Sequence, residues 1–238
     1  FFEDAITVSR ELELVLTGKN CGLEERAPMC GIPHHAAAAY IPRLVNKGYK
    51  VAICEQLEDP KQAKGIVKRG VVKIITPGTF VDNNSNLEND NTYLMVIHED
   101  GETIGIATSD ISTGEFKTTS FSYSMASLLD EIAKLSPKEI LLDENTGEEL
   151  INEIKGVCPA LITKKNFNEF LVSKEELIDQ FSDLEAGALQ KEREITSRVL
   201  LKYIYETQMM SLSNINLLEQ YEIVNYMVID SNSRRNLE

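Results

Sequence analysis

The sequence predicts a multidomain chain of mixed α+β and α/β class: a small α+β domain, a mixed-sheet domain and a helical C-terminal segment. Three observations predict it. A polar, Asn-rich stretch, DNNSNLENDNT at 82–92, separates two globular parts and reads as a linker. After it come three strand-like runs joined by short turns, then alternating helical and strand-like runs. From about residue 185 the pattern is helical. The division is therefore 1–82, a linker at 83–92, 93–184 and 185–238.

Each element has a local reason. FFEDAITVSRELEL begins as a helix with apolar positions at Ala5, Val8 and Leu12, and ELVLT turns extended. RAPMCGIPHH is a loop, and HAAAAYIPRLVNKG is a helix closed by Gly48, with Pro42 marking a kink or an early turn. YKVAICEQ reads as a buried strand, and VVKIITPGTF as a β-branched strand ended by a Pro-Gly turn. Beyond the linker, TYLMVIHEDG, TIGIATSDIS and GEFKTTSF are three strands with turns at EDGE and ISTG. SMASLLDEIAKL is a helix with Ser124 as its N-cap. The strand PKEILLDEN, the helix TGEELINEIKG, the strand PALITKKNF and the helix SKEELIDQF follow. The last two helical stretches are EAGALQKEREITSRVLLKYIYETQ and LLEQYEIVNYMVIDSNSRRNLE, parted by MMSLSNIN.

Hydrophobic residues make up 42% of the chain, enough for packed cores, yet no apolar run reaches the length of a membrane span. FFEDAITVSR lacks the basic start and apolar stretch of a signal peptide. There is no initial Met, and SRRNLE stops within a helical pattern, so both ends read as cut from a longer protein. Cys21, Cys30, Cys54 and Cys158 form no C-x-x-C pair and read as reduced thiols of a cytosolic protein.

The net charge of −14 argues against nucleic acid only when taken as a whole. Residues 1–82 carry 11 Lys and Arg against 10 Asp and Glu, whereas 83–238 carry 13 against 28. Within the first part, KQAKGIVKRGVVK at 61–73 holds five positive charges and no acid. Local potential is what a phosphate feels, so this strip is a candidate phosphate contact. A solvated loop between strands is its plainer reading.

PMCGIPHHAAAAY at 28–40 raises the question of a metal or catalytic site. Cys30, His34 and His35 make a weak zinc set, because structural zinc takes four ligands in two short pairs and no second pair is near. A Cys–His nucleophile lacks a positioned third group. No G-x-x-x-x-G-K-[ST] loop occurs, since TGKN at 17–20 lacks the first glycine and the hydroxyl. Asp110 ends a strand in a sheet order like that of ribonuclease H folds, with Asp90, Asp100, Asp143 and Glu144 as further acids. A metal-dependent nuclease needs several carboxylates converging on metal, and these show no such pattern. They read as turn caps.

The segment PMCGIPHHAAAAYIPRLVNKGYKVAICEQLEDPKQAKGIVKRGVVKIITPGT closely resembles the MutS family of DNA mismatch-repair proteins. G-I-P-x-H-A, V-A-I-C-E-Q and R-x-V-x-K/R-I-x-T-P-G-T are specific in combination. ATSDISTGEF resembles the start of that family's connector domain, and SRRNLE the place where its central helical domain begins. The resemblance runs through essentially the whole chain. It implies a truncated α+β mismatch-binding domain at 1–82, a ribonuclease H-like connector at 93–184 and the start of the lever and core helices at 185–238.

The resemblance also implies a function, DNA mismatch recognition, in a chain that is not itself an enzyme. Lys19 and Arg69 match basic positions of the family's DNA-contact surface, with Lys68 a neighbour. Met29 and Ile32 lie near the minor groove on this reading. Gly31 and Pro33 shape the loop, His35 lies beside it, and Ala36–Ala39 pack the helix. The family's reader is a Phe-x-Glu wedge, which kinks the duplex where a mispair has already weakened stacking. Phe1-Phe2-Glu3 fits it by letters, but FFEDA matches the stretch after the true motif. The reader is then expected upstream, with Phe1 and Phe2 packing the helix. Implied partners are mispaired double-stranded DNA, a MutL-type protein and a second subunit, with no membrane. ATP and Mg2+ belong to the full-length family, and no cofactor is expected in this chain. The implied location is the bacterial cytoplasm, at the nucleoid. The alternative is that the acidic second part is a protein-docking module for MutL-type partners without DNA binding of its own.

Overall fold

The computed structural model describes residues 1–59, 65, 67–81, 91–181 and 183–223. Most of the expected linker, 82–90, and the closing stretch 224–238 lie outside them, as do Lys61 and Lys64 of the basic strip.

The first helix, α1 (Phe2–Leu12), carries Glu3 and Asp4 in its first turn and Arg10 in its last, the charge order its dipole favours. It buries Ala5 and Leu12. Phe1 and Phe2, expected to pack this helix, are instead 52% and 53% exposed. A hairpin of β1 (Thr17–Lys19) and β2 (Ala27–Met29) packs on α1. A single 3-10 turn, His34–Ala36, leads into α2 (Ala37–Val45), which runs through Pro42 rather than ending there. Gly48, at φ +85°, closes the turn beyond it with its N–H on the Val45 carbonyl, as its position predicts. Leu44 and Val45 form the buried end of α2, whereas Ala36–Ala39 are half-buried or exposed. The strands β3 (Val51–Gln56) and β4 (Arg69–Ile75) pair antiparallel in a separate two-stranded sheet. β3 was expected to be buried; only Val51 and Ile53 are half-covered, because a lone pair of strands leaves much of its surface open.

The second part is a six-stranded mixed sheet. Strands β5 (Tyr93–Glu99), β6 (Thr103–Asp110) and β7 (Glu115–Ser122) form an antiparallel meander. Then come α3 (Met125–Leu135), β8 (Glu139–Asp143), α4 (Glu148–Val157), β9 (Leu161–Lys165), α5 (Lys174–Gln180), α6 (Lys191–Gln208) and the two-residue strand β10 (Glu219–Gln220). The order across the sheet is β10-β7-β6-β5-β8-β9, with β8 parallel to β5 and β9, and β10 parallel to β7. The apolar run LMVI of β5 has no polar face because helices cover both sides. Leu94 and Val96 pack with Val199, Leu200 and Ile204 of α6, and Met95 and Ile97 with Leu128, Ile132, Ile151 and Ile154 of α3 and α4. The helix starts follow local rules. The Ser124 hydroxyl accepts the Ser127 N–H, and Ser173 and Glu176 form a reciprocal capping box on α5.

The C-terminal part departs from the sequence reading. The helix α6, expected in a segment of its own from about 185, starts at Lys191 and lies against β5, β6 and β7. Much of its length is buried, including Thr196, Ser197, Thr207 and Gln208, and these polar residues disguise its buried face in the sequence. A second helix was expected from Leu217, but Glu219 and Gln220 pair with Lys117 and Thr118 at the sheet edge.

The β5–β6 turn is held by Asp100, whose carboxylate accepts the N–H groups of Thr103 (2.9 Å) and Glu102 (3.1 Å) and faces the Lys191 ammonium at 3.3 Å. Those bonds, Thr103 first, hold its pKa down to about 2. An unfolded aspartate titrates near 3.9, so the stabilisation is complete above that pH and is lost as pH falls towards about 2. We expect Asp100→Ala to flatten the pH–stability curve in this window and leave its shape above pH 5 unchanged, as read by urea unfolding.

Candidate nucleic-acid interface

The residues singled out for DNA contact fall into two groups in the small domain. The first is built on the β1–β2 hairpin. Thr17 pairs with Met29, Gly18 with Pro28 and Lys19 with Ala27, so Lys19 and Met29 stand at opposite ends of one three-residue ladder. Arg26 fastens the hairpin by donating to the Gly18 carbonyl. Just past Met29 the loop Cys30–Pro33 carries the chain into the 3-10 turn, whose Ala36 N–H bonds the Pro33 carbonyl at 2.9 Å. Gly31, Pro33 and His35 are exposed; Met29 and Ile32 are half-buried. The Lys19 ammonium lies 5.9 Å from the centre of the Phe1 ring.

The second group is on the other hairpin. Arg69 opens β4 opposite Gln56, and Lys68 precedes it, its backbone N–H bonded to the Glu58 carboxylate and its carbonyl to the Leu57 N–H. Lys73 lies further along β4, opposite Ile53. Lys68 and Arg69 are exposed. Among the described residues, no ion pair engages the side chains of Lys19, Lys68, Arg69 or Lys73. The other described lysines of the small domain are committed, Lys47 to Glu11 at 2.9 Å and Lys50 to Glu139 at 3.0 Å. Unpaired cations on an exposed surface are the chemistry a phosphate backbone requires. Among the described residues, no hydrogen bond or ion pair joins the two groups. The unpaired state of Lys73 was not singled out from sequence, though its place in the acid-free strip was the available signal.

The other candidate chemistries resolve into local structure. Asp110 is buried and accepts the Ser112 N–H (2.8 Å) and hydroxyl (2.6 Å), together with the Thr92 N–H (3.2 Å). Asp143 accepts the N–H groups of Asn145 and Phe167. With Asp100, all three are turn caps, each carboxylate spent on nearby amides. Asp90 lies outside the described residues. Among the described residues, no three His, Cys, Asp or Glu side chains are grouped to hold a metal, the Cys30, His34 and His35 set included. Among them, too, no helix is long and apolar enough to cross a membrane.

Residues 1–84 match the family model of MutS domain I, and residues 92–216 match that of MutS domain II. The chain belongs to the MutS family. The second match, which alone covers more than half of the chain, includes α6. The chain is 80% identical over all 238 residues to the DNA mismatch repair protein MutS of Clostridium beijerinckii, and 81% identical to that of Clostridium botulinum strain Eklund 17B. It is 52% identical to the MutS of Clostridium perfringens. The whole chain aligns in each case but covers only 25–26% of the relative. It thus spans about a quarter of the length of the curated MutS relatives it matches.

Proposed function

We propose that this chain is the mismatch-probing and connecting part of a MutS protein that binds mispaired double-stranded DNA. The observation that carries the reading is the coincidence of a MutS domain I match with exposed cations in that domain, Lys19, Lys68 and Arg69, that enter no ion pair among the described residues. On this reading Lys19, Lys68 and Arg69 contact phosphates, and the loop from Met29 through Gly31, Ile32 and Pro33 to His35 faces the groove. The connector, whose surroundings hold most of the chain's acid excess, docks a MutL-type protein. In the whole protein a second subunit completes the clamp, ATP and Mg2+ drive release, and the setting is the bacterial cytoplasm. The chain itself performs binding, not catalysis.

Fluorescence anisotropy with a G·T-containing duplex and its matched twin tests this. With Phe1-Phe2-Glu3 outside the reading role, we expect weak binding without preference between the duplexes. The affinity should fall with salt at a slope of about −0.9 per phosphate neutralised. Lys68→Ala and Arg69→Ala should each reduce that slope by about 1. Binding insensitive to salt or to both substitutions overturns the assignment. A clear preference for the mispaired duplex would instead give the reading role to Phe1, Phe2 and Glu3.

A further inference from the structure

The glutamate that opens β8 is fully buried, yet it is charged and surrounded by donors from both parts of the chain. Glu139 Oε1 accepts the hydroxyls of Tyr203 (2.6 Å) and Thr163 (2.7 Å), both on the connector side, and pairs with Lys50 Nζ at 3.0 Å. Its other oxygen, Oε2, accepts the Gly78 N–H at 3.2 Å. Lys50 in turn donates to Thr163 Oγ1 and Tyr203 Oη, each at 2.8 Å. Lys50 and Gly78 come from the small domain; Glu139, Thr163 and Tyr203 come from β8, β9 and α6.

Gly78 sits in the turn Thr76-Pro77-Gly78-Thr79, which is closed by its own hydrogen bonds. The Thr76 N–H bonds Thr79 Oγ1 at 3.0 Å, and the two buried hydroxyls bond each other at 2.9 Å. A side chain at Gly78 would place its Cβ 2.8 Å from Glu139 Cβ and 2.8 Å from Leu94 Cδ1, so only glycine lets this turn sit on the sheet. Burial alone would raise the Glu139 pKa, but the Lys50 charge and the surrounding hydroxyls outweigh it and keep the carboxylate ionised.

We propose that Lys50, Glu139 and Gly78 form a joint that fixes the small domain in one orientation on the connector. Lys50 and Glu139 are then positioning residues. They decide where the loop 30–35 and the Lys68–Arg69 pair are presented. A buried carboxylate suits this role, because losing its cation leaves an uncompensated charge and the favoured response is separation and hydration. The mechanical joint rests on the geometry alone; its consequence for DNA rests on the function proposed above.

The test is a spin-label distance measurement on the whole chain. One label is carried by Cys21 in the small domain and one by a cysteine replacing Glu153 on α4, with Cys30 and Cys54 changed to serine. All three cysteines and Glu153 are outside the buried core. We expect one narrow distance distribution in the parent, a broad one in Lys50→Met and in Gly78→Val, and a narrow one again in Lys50→Arg. Both disruptive changes lie on the small-domain side, so amide protection of β5 and β8 will show an intact connector. A distribution in Lys50→Met as narrow as the parent's overturns the joint. The anisotropy titration is read separately: failure of the parent to bind DNA would count against the proposed function while leaving the distance result standing.

Discussion

Gly105→Ala is expected to cost about 3 kcal/mol of connector stability, at the upper end for overpacking. The reason is a backbone, not a side chain. A Cβ at position 105, the third residue of β6, would lie 2.7 Å from both the carbonyl oxygen and the Cβ of Glu192 in the first turn of α6. A flexible side chain could swing away; a helix backbone gives only by lifting α6 from the sheet. Lifting it would also disturb Glu192, a buried carboxylate placed between His98 and the Lys191 ammonium. Urea unfolding should show a lower midpoint with an unchanged m-value. Gly156→Ala, on α4 where nothing lies within 4 Å, is the control and should lose no stability. An unshifted midpoint for Gly105→Ala would mean that α6 is not held at this close approach.

Phe116→Ala should cost about 4 kcal/mol, the range for emptying a large buried site. Phe116 on β7 is 1% exposed, and its ring centre is 4.8 Å from that of Phe181, the residue that ends α5. Leu212 and Ile215, from the segment after α6, belong to the same cluster. Truncation therefore removes the contact with Phe181 and empties a site in a cluster shared by the sheet, α5, α6 and the segment after α6, so that collapse into the space is opposed from several sides. The checking measurement is again the urea midpoint. Leu177, also buried in this cluster, should lose hydrogen-exchange protection at its backbone amide before the β5 amides do. A loss below about 1 kcal/mol would show that the site closes up readily.

These two residues also show where sequence reading works and where it stops. The strands β3 to β9, the cap at Ser124 and the turn at Gly48 were legible because each is written within a few neighbouring residues, whereas β2 lay inside a stretch read as a loop. The unpaired Lys68–Arg69 pair was legible as a local excess of charge. Gly105 was visible, but the reason for it was not. Its partner is 87 positions away, on a helix whose buried polar residues blur the apolar stripe that would have announced it. A comparable separation in sequence hid Lys50 and Glu139, each of which reads alone as an ordinary surface charge. Phe1 and Phe2 failed in the opposite way: aromatic residues suggested burial, yet α1 buries only its Ala5 and Leu12 edge. The DNA-facing assignments came from family motifs, because a loop such as 30–35 leaves no periodic signature.

The position of α6 has a consequence for how the chain is made. This helix touches β4 of the small domain as well as the connector sheet, and it supplies Tyr203 to the carboxylate that Lys50 pairs with. During synthesis the small domain leaves the ribosome more than a hundred residues before α6 does. Its own hairpins can form early, since their contacts are short-range, but its seat on the neighbouring domain must wait for residues 191–208. Until then the apolar face of β5 and β6 that α6 will cover is open to solvent and to other nascent chains. We expect the aggregation-sensitive interval of folding to end with the docking of this late helix, and a change that delays it to lower the yield of folded chain before it alters any property of the finished protein.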